Sequence, residues 1–126
     1  MTMAEGVIRA NALSVRDGRL TIAVHLPWYR SLPISCVESV DVTVDGRQAA
    51  VRSIQVPGFT GSVEDAGESA ATWDLRDALD VSLDAPANPG AHQLQVAVAV
   101  RIPYIQQAPG VPLVQRTTVH TEGTVS

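Results

Sequence analysis

Apolar and polar side chains alternate with a period of two along much of the chain. In HQLQVAVAVRI, residues 92–102, every second residue from Leu94 to Ile102 is a large apolar one. The same alternation recurs in RLTIAVHL (19–26) and in VESVDVTV (37–44). Successive side chains of a strand point to opposite faces of a sheet, so this pattern is typical of strands with one buried face. We predict a strand in each of these segments.

Turn signals separate the alternating segments. Asp17-Gly18 and Asp45-Gly46 are pairs that tolerate the positive φ of a two-residue hairpin turn, so each predicts a hairpin. The segment APANPG (85–90) predicts a loop. Many short strands with almost no helical period predict an all-β fold, specifically an antiparallel β-sandwich in a single domain spanning residues 1–126.

Three segments depart from the simple alternation. SAATWDLRDAL (69–79) is compatible with a short helix or with a strand kinked at Arg76-Asp77, and the kinked strand is favoured. Residues 57–71 are rich in Gly, Ser and acidic residues, which predicts a mobile loop. Residues 121–126 are expected to form a frayed tail.

Composition excludes several classes of partner. The 126 residues include nine basic residues, all of them arginine, and thirteen acidic ones, for a net charge of −4. The arginines are scattered rather than clustered, which disfavours nucleic acid and anionic membranes. The beginning of the chain lacks the apolar stretch of a signal peptide, and no run approaches the roughly 18 apolar residues of a membrane helix. We expect a soluble cytoplasmic protein.

Residues capable of acid–base or metal chemistry are present but poorly arranged. The three histidines lie in different predicted strands without a chelating spacing, although strand pairing could bring two together; they are His25, His92 and His120. Cys36 is the only cysteine, so it forms no internal disulfide, and beside a valine-rich strand it is expected to be a small buried side chain.

Four aspartates form an acidic series, Asp74, Asp77, Asp80 and Asp84. The series lacks the central glycine and closing glutamate of an EF-hand loop, so a solvated sheet edge is the favoured interpretation. The sequence therefore predicts no catalytic, cofactor or metal site in this chain.

The segment LPWYRSLPISC (26–36) is unusual because it places Trp28 and Tyr29 together in a chain with five aromatic residues. Pro27 and Pro33 lack N–H donors, so the residues between them are expected to leave the strand ladder. Trp28 could fold back over one end of the sandwich. Alternatively, the loop could be a subunit interface, since Trp, Tyr and Arg are enriched among interface anchors.

The longer block LPWYRSLPISCVESVDVTVDG (26–46) resembles the small β subunit of bacterial C-glycoside deglycosidases. Three further segments resemble the family in the expected order: TWDLRDALDV (72–81), GAHQLQV (90–96) and RIPY (101–104). The resemblance implies a β-sandwich bound to a larger α subunit, a TIM barrel that holds a divalent metal such as Mn²⁺ and the acid–base residues.

The resemblance also implies the reaction. The hetero-oligomer would cleave the C–C glycosidic bond of 3-oxo-C-glycosides by elimination: the ketone acidifies the proton on C2, and protonation of the aromatic ring lets the bond to C1 break. A metal polarises the keto oxygen and a base removes the proton. On this view the small chain holds no cofactor and is inactive by itself.

We therefore predict that this chain is the non-catalytic subunit, and we nominate a set of contact residues on the loop and the RIPY segment. They are Trp28, Tyr29, Arg30, Leu32, Pro33, Arg101 and Tyr104. One alternative is a stand-alone carbohydrate-binding module that stacks sugars on an exposed aromatic platform. A further, weaker alternative is an independent enzyme that uses the Asp74–Asp84 carboxylates.

Overall fold

The computed structural model describes residues 6–9 and 12–125. The strands are β1 (Leu13–Arg16), β2 (Arg19–Val24), β3 (Leu32–Pro33), β4 (Val37–Val44), β5 (Arg47–Val56), β6 (Phe59–Gly61), β7 (Thr72–Trp73), β8 (Leu79–Pro86), β9 (Gly90–Ala108) and β10 (Val111–Val125). A 3-10 turn (Ile34–Cys36) precedes β4, and a one-turn helix, α1 (Val63–Ala66), follows β6. The predicted all-β fold is confirmed.

The two Asp-Gly hairpins are confirmed by the backbone. Asp17 and Asp45 have φ of 53° and 51°, and the glycines after them have φ of 75° and 81°. Positive φ at both central residues is the type I′ geometry that matches the twist of a hairpin. These turns join β1 to β2 and β4 to β5, which pair antiparallel.

Hydrogen-bonded strands form one continuous antiparallel sheet in the order β1-β2-β8-β5-β4-β9-β10, and β6 pairs with β5. Strand β5 joins the two halves, because Arg47–Ala49 pair with β4 while Ala50–Gln55 pair with β8. The predicted sandwich is thus a single curled sheet whose two halves share a strand. A separate two-stranded ladder joins β3 to β7.

The curl brings the first and last strands of the sheet together. A Cβ atom added to Gly123 on β10 would lie 3.0 Å from Leu13 Cβ on β1 and 3.0 Å from Leu94 Cδ1 on β9. Glycine is therefore the residue that lets the two ends of the sheet approach this closely.

Alternating side chains fill the space inside the curl. From β2, β8 and β9 the core receives residues that are at most 3% exposed: Leu20, Ile22, Val24, Leu79, Val81, Leu83, Leu94, Val96, Val98, Val100 and Ile102. In β2 and β9 these are the alternating apolar positions that the sequence predicts to be buried. Trp73 on β7 is also fully buried, and its indole N–H donates to the carbonyl oxygen of Asp77 at 3.1 Å.

The structure differs from expectation in two outer segments. Residues 57–71, predicted as a mobile loop, contain β6 and α1. Ser62 accepts a hydrogen bond from the Asp65 N–H at 3.0 Å as the cap of α1, and Ala66 is fully buried. Residues 121–125, predicted to fray, continue β10 to Val125, which is 6% exposed; Ser126 lies outside the described residues.

Segment 69–79 forms the predicted kinked strand, since a turn at residues 75–77 separates β7 from β8. The placement of the acidic series at a sheet edge was wrong, because β8 lies between β2 and β5. Its carboxylates are spread along the chain: Asp74 pairs with Arg76 at 3.0 Å and Asp80 with Arg16 at 2.9 Å.

Candidate functional site: an exposed aromatic surface

The proline-flanked loop leaves the sheet at the end where β2 stops, as predicted. Pro27 is buried and Trp28 is half-buried against the core, whereas Tyr29 is 73% exposed and Arg30 is exposed. The Trp28 and Tyr29 rings lie 5.3 Å apart, tilted by 53°. Trp28 thus packs against the core in part, as the first interpretation predicts, while its neighbour Tyr29 projects into solvent. The subunit-interface interpretation stays a prediction.

A second irregular segment, on β9, faces this loop. Leu113 pairs with Ile102 and Pro112 pairs with Gln106, so residues 103–105 have no counterpart on β10. These three residues form an irregular bulge that carries Tyr104 out of the ladder. The Tyr104 hydroxyl accepts a hydrogen bond from Trp28 Nε1. Two segments that are 76 residues apart in sequence therefore meet through their aromatic side chains.

The turn between β7 and β8 borders the same surface. Ser31 Oγ accepts a hydrogen bond from the backbone N–H of Leu75 at 2.9 Å, and the Leu75 side chain is 40% exposed. We call Trp28, Tyr29, Leu75 and Tyr104 together the aromatic surface. It is exposed, partly apolar and fixed at two points by hydrogen bonds, properties that suit a docking surface more than an enclosed reaction site.

The remaining predicted contact residues differ in how exposed they are and in whether they already have partners within the chain. Leu32 is 2% exposed in this chain's own core, so its nomination as a contact residue was wrong; its pairing with Trp73 turns it inward. Pro33 is exposed beside it. Arg101 is engaged within the chain, donating to Glu38 Oε1 at 2.9 Å and to the Ser35 carbonyl oxygen at 3.3 Å.

Sequence reasoning missed Leu75 as part of this surface. Its only signal was an apolar residue next to the predicted kink, since side chains at a turn of a strand cannot all face the core. The bulge that aims Tyr104 was equally unmarked, apart from the single proline at position 103.

At the opposite end of β4 and β9, the buried His92 pairs with the exposed carboxylate of Asp45, a contact that the sequence did not reveal. His92 Nδ1 lies 2.7 Å from Asp45 Oδ2, and its Nε2 lies 2.7 Å from the Asn88 carbonyl oxygen. A general base needs a free ring nitrogen, and here both nitrogens are occupied by acceptors. The pair borders an open cavity of about 470 Å³. Through its two hydrogen bonds, His92 links the β4–β5 turn to the β8–β9 loop, and we call this arrangement the Asp45–His92 clamp.

The clamp predicts a pH-dependent stability. The hydrogen bond to Asp45, and then the Asn88 carbonyl, raise the pKa of His92 above its ordinary 6.5. The hydrogen bond from His92, and then the Gln93 N–H, lower the pKa of Asp45 below its ordinary 3.8. The stabilisation is therefore complete between these ordinary values; it is lost as pH falls through the lowered pKa of Asp45 or rises through the raised pKa of His92.

Asp45→Asn should consequently lower the melting temperature by a few degrees near pH 5.5, and the difference from wild type should shrink above pH 7. Asparagine tolerates the positive φ of this turn, so the substitution changes the charge while keeping the backbone. Thermal melts from pH 5 to pH 9 measure it, and Asp84→Asn serves as the control. An equal difference at every pH would contradict a charged His92.

The other reactive side chains are dispersed. Within residues 6–9 and 12–125, no three His, Cys, Asp or Glu side chains come close enough to hold a metal ion. Burial, followed by the charge of Arg9, lowers the pKa of His25, and His120 is exposed. Cys36 is 3% exposed, as expected, and burial raises the pKa of its thiol, which disfavours the reactive thiolate.

Taken together, the curled sheet and its exposed aromatic surface define a small all-β chain. A sequence profile of the C-glycoside deglycosidase beta subunit family matches residues 15–104. The chain belongs to this family.

Relatives named as beta subunits match most of the chain. It is 33% identical over 108 residues to a C-glycoside deglycosidase beta subunit of Arthrobacter globiformis, covering 82% of each chain. It is 33% identical to the 3'-dehydrocarminate deglycosidase beta subunit of a Microbacterium species, covering 86% of this chain and 85% of the relative. A C-glycoside deglycosidase beta subunit of Microbacterium trichothecenolyticum is 29% identical, with 79% of each chain covered.

Across the part of the chain that the structure describes, none of the helices has the length and apolar character needed to cross a membrane.

Proposed function

We propose that this chain is the non-catalytic small subunit of a C-glycoside deglycosidase that cleaves the C–C glycosidic bond of 3-oxo-C-glycosides by elimination. The observation that carries the proposal is the family match, which spans 15–104 and includes the loop and the start of the bulge. The relatives are themselves beta subunits, so the assembly contains at least one further kind of chain.

A division of labour follows from the chemistry of this reaction. Removing the C2 proton and protonating the aryl leaving group require a positioned base and acid, and a divalent metal would polarise the keto oxygen. We assign these groups to a TIM-barrel larger subunit. This chain's clearest acid–base pair, Asp45–His92, has both imidazole nitrogens engaged and lies at the far end of β4 from the aromatic surface.

The aromatic surface supports a docking role. Tyr29 is 73% exposed and Tyr104 is 54% exposed, and amphipathic aromatic rings provide large contact area at low conformational entropy cost. The hydrogen bonds from Trp28 to Tyr104 and from Leu75 to Ser31 hold this surface in shape before binding. A preorganised surface loses less entropy on association.

Co-expression tests the function directly. We expect this chain and the larger subunit from the same genome to elute as one complex, and the complex to release the aglycone from a 3-oxo-C-glycoside while this chain alone does not. Each chain run separately on the same column is the control. Independent elution of the two chains, or turnover by this chain by itself, would overturn the proposal.

A carbohydrate-binding module is the second candidate, and the exposure of Tyr29 next to Trp28 favours it. Exposed aromatic rings stack against sugar faces. Isothermal titration calorimetry of the isolated chain with C-glycosides distinguishes the two functions. Heat of binding that Tyr29→Ala abolishes would favour the module, whereas no binding without the larger subunit favours the docking role.

A further inference from the structure

The end of the β9–β10 hairpin is exposed to solvent. Strand β4 pairs with β9 only as far as Val100, so beyond it β9 and β10 continue as a two-stranded ribbon. Every residue from 103 to 111 is exposed. We call residues 103–111 the hairpin tip. From the Ile102–Leu113 pair it extends about 10 Å to the turn, since a strand rises about 3.3 Å per residue.

The chemistry of the hairpin tip is unusual for a solvent-exposed ribbon. Between Arg101 and Arg116 the sequence is IPYIQQAPGVPLVQ, which contains no charged residue. Its large apolar side chains are exposed to a similar degree: Tyr104 54%, Ile105 37% and Val111 43%. Solvated strand edges are commonly protected by charge, and an uncharged apolar projection is a feature of surfaces that become covered.

The hairpin tip is also stiff. Pro109-Gly110 forms a two-residue turn in which Gly110 has φ of 76°, so the positive φ falls on a residue without a Cβ. Pro103 and Pro112 restrict the backbone on either side. A ribbon already held in one shape gives up little conformational entropy when it binds.

The aromatic surface is too small to form a standard interface alone, so a partner docked on it would also need to contact neighbouring residues such as those of the hairpin tip. The exposed parts of the four side chains in the aromatic surface offer roughly 400 Å² of contact area, whereas a standard interface buries about 800 Å² on each partner. The Trp28–Tyr104 hydrogen bond makes the hairpin tip continuous with this surface. A partner that covers Tyr29 and Tyr104 is therefore within reach of Ile105 and Val111.

We propose that the hairpin tip inserts into an uncharged, apolar groove of the larger deglycosidase subunit and forms a second anchor beside the aromatic surface. The inference rests on the proposed function, since it takes the same partner. A groove with unpaired charges would not fit, because the hairpin tip has no charged side chain to compensate them once water is excluded.

Val111→Glu tests the inference, and Val15→Glu is its matched control. Both valines lie within two residues of a hairpin turn and are almost equally exposed, at 43% and 44%. Val111 directly follows the Pro109-Gly110 turn, whereas Val15 lies on β1, two residues before the Asp17-Gly18 turn. With the full chain and the larger subunit, we expect Val111→Glu to weaken association at least tenfold and Val15→Glu to leave it within twofold. Biolayer interferometry measures both, and circular dichroism melts check that each variant folds.

The outcomes separate this inference from the proposed function. Unchanged binding of a folded Val111→Glu, with Tyr29→Ala weakened, would overturn the hairpin-tip anchor and leave the docking role intact. If the wild-type chain did not bind the larger subunit at all, both would fail. Should Val111→Glu fail to fold, Val111→Ser takes its place, with the same tenfold and twofold criteria against Val15→Ser. Concentration-dependent self-association that Val111→Glu abolishes would identify a second copy of this chain as the occupant and overturn the inference.

Discussion

Replacing Tyr29 by alanine is expected to weaken association with the larger subunit about 30-fold while leaving the melting temperature of the free chain unchanged. The ring is 73% exposed, so its removal takes little from the core, whereas docking would bury it. Truncating a central aromatic anchor costs about 2 kcal/mol of binding free energy, which is about 30-fold in Kd. Biolayer interferometry of the folded variant against the immobilised larger subunit measures the effect.

Tyr29→Phe is the matched control, because it keeps the ring and should retain nearly all of the affinity. Arg30→Ala, on the same exposed loop, should likewise leave the fold intact and weaken assembly. Trp28→Ala is less discriminating, since the indole also packs against the core. If Tyr29→Ala bound as tightly as the wild type, the aromatic surface would not be the interface.

The second large effect is a loss of folding stability when the buried Trp73 is truncated. Trp73→Ala should lower the free energy of unfolding by about 3–5 kcal/mol, the range for truncating a fully buried aromatic residue. Its side chain is 0% exposed, and the substitution also leaves the Asp77 carbonyl without the indole donor. Urea denaturation followed by far-UV circular dichroism measures the loss.

Two variants calibrate that result. Trp73→Phe restores most of the volume without the N–H and should recover more than half of the lost stability. Leu75→Ala, two residues away and 40% exposed, should change the stability by no more than about 0.5 kcal/mol. A Trp73→Ala chain that unfolds at the wild-type urea concentration would show that β7 does not contribute to the cooperative core.

The two tryptophans illustrate how far the candidate site could be predicted. Both lie in irregular segments that the sequence identified, yet Trp73 is sealed in the core and Trp28 is half-exposed. The prolines around Trp28 predicted that its loop leaves the ladder, and this was correct. No such sequence signal showed that Leu32, in the same segment, is buried. It was predicted to contact a partner, but it pairs with Trp73 and turns into the core.

Long-range pairing accounts for the other differences. The acidic series was predicted to mark a sheet edge, but β8 is inserted between β2 and β5, strands that precede it by many residues. The Asp45–His92 clamp likewise joins residues 47 apart. Local composition also misjudged residues 57–71, because a serine cap and one buried alanine order α1 among exposed acidic residues.

The sequence by itself determined the all-β class, the three strands with the clearest alternation and both type I′ hairpins, because a period of two and an Asp-Gly pair act through local geometry. Only the tertiary structure decided which strands are neighbours, how the bulge aims Tyr104 at Trp28, and which apolar side chains remain outside. Those properties depend on contacts between residues far apart in the chain, whose free energy no local pattern contains.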